Sequence, residues 1–233
     1  MSQKDLTAFK NFIAFDTETT GIDTAASRIV SASATVFAAG EAQTTYDWLI
    51  NPGVPIPEQA SRVHGITTEI AERDGQHPAE AITEIVALLN SHADKGYAIL
   101  AYNAPFDLSI LKSETKRYGL LPVKENSTVF DPLVLDKHFW KYRKGKRTLE
   151  VTCEHYGITL SAAHTADADA LAAGLLMLAM LEKFGDADDF PKTPAELHTA
   201  QVRWAVEQAA DFEAYLHRIG KTDAVISGTW PVK

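Results

Sequence analysis

Phe12-Ile13-Ala14-Phe15-Asp16-Thr17-Glu18-Thr19-Thr20-Gly21 passes from four consecutive apolar side chains into two acids spaced two apart. A short apolar run ended by a turn signal reads as a buried strand. In a strand, residues i and i+2 point to the same face. Asp16 and Glu18 therefore emerge together where a core strand meets water. One such acid is a cap or a solubilising charge. Two side by side repel each other unless a cation lies between them, and a divalent metal ion is the usual partner.

Two further clusters extend the pattern. The apolar run Tyr97-Ala98-Ile99-Leu100 leads into Ala101-Tyr102-Asn103-Ala104-Pro105-Phe106-Asp107, and His164-Thr165-Ala166-Asp167-Ala168-Asp169 opens an Ala- and Leu-rich stretch. Val63-His64-Gly65-Ile66-Thr67 lies between the first two clusters. Asp16, Glu18, Asp107 and Asp169, with a histidine five residues before the last acid, resemble the DEDDh (epsilon-subunit-like) family of 3′–5′ exonucleases in the ribonuclease-H-like superfamily. Asp16 to Gly21 is similar to the family's first motif, and Val63 to Thr67 to its His-Gly-Ile segment. The resemblance covers residues 10–182.

The resemblance implies an enzyme that hydrolyses phosphodiester bonds at 3′ ends and releases nucleoside 5′-monophosphates. It implies two divalent ions, Mg2+ or Mn2+, with Asp16 shared between them, Glu18 and Asp169 on the nucleophile side and Asp107 supporting the other ion. His164 becomes the general base, since an imidazole titrates near working pH. Thr19, Thr20 and Gly21 would contact the terminal nucleotide, Ile22 would wedge against the last bases, and His64, Asn103 and Phe106 would shape the pocket. Asp167 points elsewhere on its helix and receives no metal. Asp131 and Asp136 read as capping or solvated acids.

The net charge of −9 runs against phosphate binding. Local field outweighs the total, however, and Lys137, Lys141, Arg143, Lys144, Lys146 and Arg147 form one basic stretch interleaved with Phe139, Trp140 and Tyr142. That composition suits a single-strand surface carried by Lys144, Lys146 and Arg147. It equally suits a solvated helix end whose aromatics pack inward. Cys153 is the only cysteine, which excludes an intrachain disulfide and suits a reducing cytoplasm; it shares a helical face with Leu149 and Tyr156 and reads as a core residue. No apolar run is long enough for a membrane span, and no signal-peptide core follows Met1.

Strands are predicted over 11–16, 28–37, 43–50, 97–102 and 128–131. Helices are predicted over 78–91, from Pro105, after Pro132 and over 165–183. A meander followed by alternating helices and strands predicts an α/β fold: a mixed five-stranded sheet with helices on both faces. The exonuclease domain is expected over 1–184. Residues 185–233 form an extension with an acidic, Pro-bearing link, a helix over 195–219 and an edge strand from Ala224 to Ser227 with Trp230. That helix is expected to pack its apolar side (Leu197, Trp204, Phe212, Tyr215, Leu216, Ile219) on the core. Neither a long tether nor a Gln-led clamp-binding motif is legible, which favours a free-standing nuclease over a polymerase subunit. Single-stranded DNA is the favoured substrate. An RNA-trimming or oligoribonucleotide-degrading enzyme and a silent nucleic-acid-binding module are the alternatives; oligomeric state is not legible.

Overall fold

A computed structural model describes residues 5–159 and 165–233. The strands are β1 (Phe12–Thr19), β2 (Ile29–Ala38), β3 (Glu41–Leu49), β4 (Ala98–Leu100) and β5 (Val129–Phe130). The helices are α1 (Glu58–His64), α2 (Thr68–Asp74), α3 (Pro78–Ala93), α4 (Ala104–Tyr118), α5 (Pro132–Phe139), α6 (Leu149–His155), α7 (Ala166–Phe184) and α8 (Pro194–Arg218). The sheet order is β3-β2-β1-β4-β5. β2 runs antiparallel to both β1 and β3, whereas β4 and β5 run parallel to β1. This is the mixed five-stranded sheet the sequence predicts.

The apolar run Phe12–Phe15 is completely buried because β1 is the central strand, covered on both faces. Its alternation sorts the neighbours. Phe12 pairs with Phe37 across β1 and β2, their rings stacked 4.8 Å apart, and this face meets α7. The contact is close: a Cβ on Gly174 of α7 would lie 2.3 Å from the Phe37 ring. Ala170, Ala172 and Ala173 are buried alongside, so small side chains let the helix settle onto the strands. The other face of β1 meets α3 and α4, whose Ile82, Ile85, Leu89, Ile110 and Leu111 join the same core. Cys153 is buried there too, as the sequence predicts, and burial pushes its thiol up to about 12.

Two short helices escape the sequence reading. α1 ends on Gly65 in the left-handed conformation, and α2 starts on Thr67, whose hydroxyl accepts from the Ile70 amide. At seven residues each, they are too short to show a helical stripe.

The edge strand expected at Ala224–Ser227 does not form; residues 221–233 carry no strand. The free edge of β5 is already used. His198 Nδ1 accepts from the Val129 amide at 3.0 Å, and Gln201 donates to the Val129 carbonyl at 2.9 Å. Side chains of α8 thereby close an edge that would otherwise invite another strand. α8 packs against the rest of the fold as far as Ala209 and not through its last turns. Leu197 and Trp204 are buried, but Phe212, Tyr215 and Ile219 are about half exposed (50%, 46% and 51%). Among the described residues, no helix is long and apolar enough to cross a membrane.

Candidate active site

The site forms at the carboxyl end of β1. Asp16 and Glu18 lie opposite Ser33 and Ser31 of β2, on the face that meets α7. There Asp169, in the first turn of α7, joins them. One carboxylate oxygen from each of Asp16, Glu18 and Asp169 lies within 4.8 Å of the other two. Thr17, between the two acids, points to the opposite face. Its amide and hydroxyl donate to Asp107 Oδ1 at 3.0 and 2.7 Å. Asp107 is thus fastened beside the trio from α4 rather than placed within it.

The carboxylates burden one another. Burial, followed by the charges of Asp107, Asp169 and Glu18, raises the Asp16 pKa well above the usual carboxylate range. Burial and then Asp169 push Glu18 up to about 7. Burial pushes Asp107 to about 7 although the Thr17 bonds pull it down. Like charges and burial thus act together on these acids. Their donors are hard carboxylate oxygens brought together by three elements distant in sequence. These residues fit divalent cations such as Mg2+ or Mn2+.

The nucleotide-contacting candidates are placed as follows. Thr19 donates its hydroxyl to the Gly21 carbonyl at 2.8 Å, and Thr20 Oγ1 accepts from the Arg28 amide at 3.0 Å. The two hydroxyls therefore shape the turn. Gly21 lies close to Ser27, whose Oγ would sit 3.1 Å from an added Cβ. Ile22 stands in solvent, 92% exposed. His64 ends α1; its Nδ1 accepts from the Ile66 amide, while its buried Nε2 has no hydrogen-bond partner among the described residues. Burial lowers its pKa, against the opposing influence of the nearby Thr19 backbone. Asn103 is exposed at the start of α4 in the left-handed conformation, and Phe106 is half-buried on its first turn. His164 lies outside the described residues.

The basic stretch divides. Asp136 is fully buried, not solvated as the sequence suggested, and binds Arg143 (2.9 Å) and also Arg147. Arg147 further donates to the Trp140 carbonyl at 2.9 Å. It serves the fold of this segment, whereas Lys144 and Lys146 are exposed. Asp131 does cap a helix, accepting from the Leu133 amide at 3.0 Å. Thr17, the anchor of Asp107, was missed in the sequence. The alternation that places Asp16 and Glu18 together was the signal for it.

Carboxylates gathered at the end of the central strand of such a sheet define the class of metal-dependent nucleases. The chain belongs to the RNase T exonuclease family of the DEDD 3′–5′ exonucleases: the family's sequence model, described as "Exonuclease", matches residues 13–177. It is 33% identical over 175 residues to a DNA polymerase III subunit epsilon-like protein of Rhodobacter capsulatus, covering 73% of this chain and 23% of that protein. It is 31% identical over 172 residues to a PolC-type DNA polymerase III of Caldanaerobacter subterraneus, covering 74% of this chain and 12% of the polymerase. The chain thus spans less than a quarter of these relatives. Among solved structures, E. coli exonuclease I in complex with a dA16 oligonucleotide matches with a TM-score of 0.65 at 21% identity, over 75% of this chain and 41% of that one. Exonuclease X in complex with 5′ overhanging duplex DNA matches with a TM-score of 0.60 at 18% identity, over 82% and 99%.

Proposed function

We propose that this protein hydrolyses phosphodiester bonds from the 3′ end of single-stranded DNA and releases nucleoside 5′-monophosphates. Its main support is the convergence of Asp16, Glu18 and Asp169 within 4.8 Å, with Asp107 held alongside by Thr17. Asp16, Glu18, Asp169 and Asp107 would hold two divalent ions, Mg2+ or Mn2+. When bound, the ions supply positive charge at the scissile phosphate and lower the pKa of water.

The remaining tasks fall to the chain. Asp16, which feels the charges of Asp107, Asp169 and Glu18 alike, would be the ligand common to both ions. Thr17 orients Asp107. His164 is the general base; in sequence it directly precedes Thr165, the N-cap of the helix that carries Asp169. The Thr19–Gly21 turn would receive the terminal nucleotide through its backbone. Exposed Ile22 would lean on the last bases, with His64, Asn103 and Phe106 around them. Lys144 and Lys146 would contact the backbone of the strand farther from its end. DNA is favoured because the exonuclease I structures of this fold hold dA16 and dT13 oligonucleotides.

The test is digestion of matched 5′-labelled DNA and RNA oligomers with Mg2+, Mn2+ or chelator. A ladder shortening from the 3′ end, faster on DNA and abolished by chelator, is the expected result. Faster shortening of RNA would replace the substrate assignment. No shortening of either by folded protein would overturn the exonuclease reading in favour of a silent binding module.

A further inference from the structure

Residues 185–233 lie beyond the segment matched by the exonuclease family model, yet they reach the support of the acidic site. The link is Asp131, 1% exposed at the end of β5. Its Oδ1 accepts from the amides of Asn103 and Leu133, both at 3.0 Å. Its Oδ2 accepts from the Ala104 amide at 3.0 Å and from the indole Nε1 of Trp230 at 3.2 Å. One carboxylate therefore holds the first amides of two helices, α4 and α5, and a side chain from the far end of the chain.

This matters most for α4. Asn103, at its N-cap, provides no side-chain capping bond and has φ 66° and ψ 50°, the left-handed region that Asn enters more readily than other non-glycine residues. Asp131 supplies the cap that Asn103 does not. Three residues after Ala104 comes Asp107, less than one helical turn from the atoms that Asp131 grips. Trp230 is seated firmly enough to act on this point. It is 7% exposed, and its ring lies 5.2 Å from that of His198. The preceding Gly228 lies against α8 so closely that a Cβ would sit 2.7 Å from Val206 Cα. Beyond it, the Lys233 amide donates to Ser109 Oγ, on α4 itself, at 2.8 Å. Gln201 of α8 completes the support by accepting from the Asp131 amide at 2.7 Å.

We propose that Trp230, acting through Asp131, is a positioning residue for Asp107: the C-terminal extension sets the start of α4 and with it one of the four carboxylates of the site. The inference rests on reading Asp107 as a metal-binding group. Charge-assisted hydrogen bonds orient a carboxylate strongly, and a small displacement of a supporting helix is enough to loosen a site built to sub-ångström tolerance. Trp230→Phe keeps a buried aromatic ring but removes the N–H donor and part of the indole's volume; Trp204→Phe removes the same volume elsewhere and so controls for it.

The test compares the full-length wild type with Trp230→Phe and with Trp204→Phe, a change in another buried α8-side aromatic that packs on His138 and Phe139. Three quantities are measured: Mn2+ affinity by calorimetry without substrate, kcat and KM on a labelled oligonucleotide, and Tm. Trp230→Phe is expected to weaken Mn2+ binding and lower kcat by about three- to tenfold, the worth of one hydrogen bond, with KM little changed. Trp204→Phe is expected to lower Tm without changing Mn2+ affinity. In an Asp107→Asn background, Trp230→Phe should have no further effect on Mn2+ affinity. Unchanged affinity and kcat in Trp230→Phe, or a loss that persists in that background, would overturn the inference. Wild-type protein that neither binds Mn2+ nor shortens the oligonucleotide would overturn the exonuclease reading, and this inference with it.

Discussion

The Thr17 hydroxyl donates to Asp107 Oδ1 over 2.7 Å, from the face of β1 opposite the one that presents Asp16 and Glu18. One short segment thereby addresses two helices: its acids meet α7, and its threonine anchors α4. Thr17→Val preserves shape and the amide bond but removes the hydroxyl. We expect a stability loss of about 1 kcal/mol and a fall in kcat of roughly tenfold. Thermal unfolding and steady-state kinetics would check both; wild-type turnover would show that Asp107 needs no such anchor.

Charge repulsion within the site opposes folding of the metal-free protein. Glu18→Gln relieves it, because burial and Asp169 already push this carboxyl up to about 7. The metal-free variant should melt higher than wild type, with roughly 2–4 °C of Tm for each kcal/mol recovered. Its further stabilisation by Mg2+ should shrink, and nuclease activity should fall by two or more orders of magnitude. Melting with and without chelator tests the stability claim separately from activity.

The basic segment should separate by role. Lys144→Glu with Lys146→Glu reverses two exposed cations. KM should rise and its salt dependence flatten, while Tm stays within a degree or two of wild type. Arg147→Glu instead places a like charge beside buried Asp136. Disrupting a buried pair costs about 3–5 kcal/mol, so this variant should lose stability first. Unchanged kinetics in the double variant would remove the lysines from the binding surface.

His198 gives stability a pH dependence of definite sign. Its Nδ1 accepts from the Val129 amide, which requires that nitrogen to be unprotonated, and burial lowers its pKa. For a histidine depressed on folding, the contribution to stability is complete above its unfolded value of about 6.5 and is lost as pH falls through the folded value. The raised carboxyls Asp16, Glu18 and Asp107 act oppositely, favouring the fold as pH falls. The comparison must therefore be made against a variant. His198→Asn offers an acceptor that does not titrate, and its Tm should fall less than that of wild type between pH 7.5 and 5.5. Parallel melting profiles would refute the assignment.

Much of this architecture was legible in the residues themselves. Phe12–Phe15 read as a buried strand, and period two put Asp16 and Glu18 on one face. The apolar positions of α3 and the Ala- and Leu-rich run of α7 announced helices. These are local signals, carried by spacing alone. α1 and α2 were illegible because seven residues give a helical period no room to repeat, and the lone turns that bound them resemble a loop.

What the chain determined by itself is the five strands of the sheet, the longer helices and the acids that end them. The partners were decided only in three dimensions. Asp136 looked like a surface acid until Arg143 and Arg147 closed on it. Arg147 looked like a phosphate contact until that same pairing engaged it. Ala224–Ser227 looked like an edge strand, but His198 and Gln201 had already taken the edge of β5. Thr17 meets Asp107 across 90 positions of sequence, and Trp230 meets Asp131 across 99. A hydrogen bond depends on where two atoms finish, and no periodicity records that for groups so far apart along the chain.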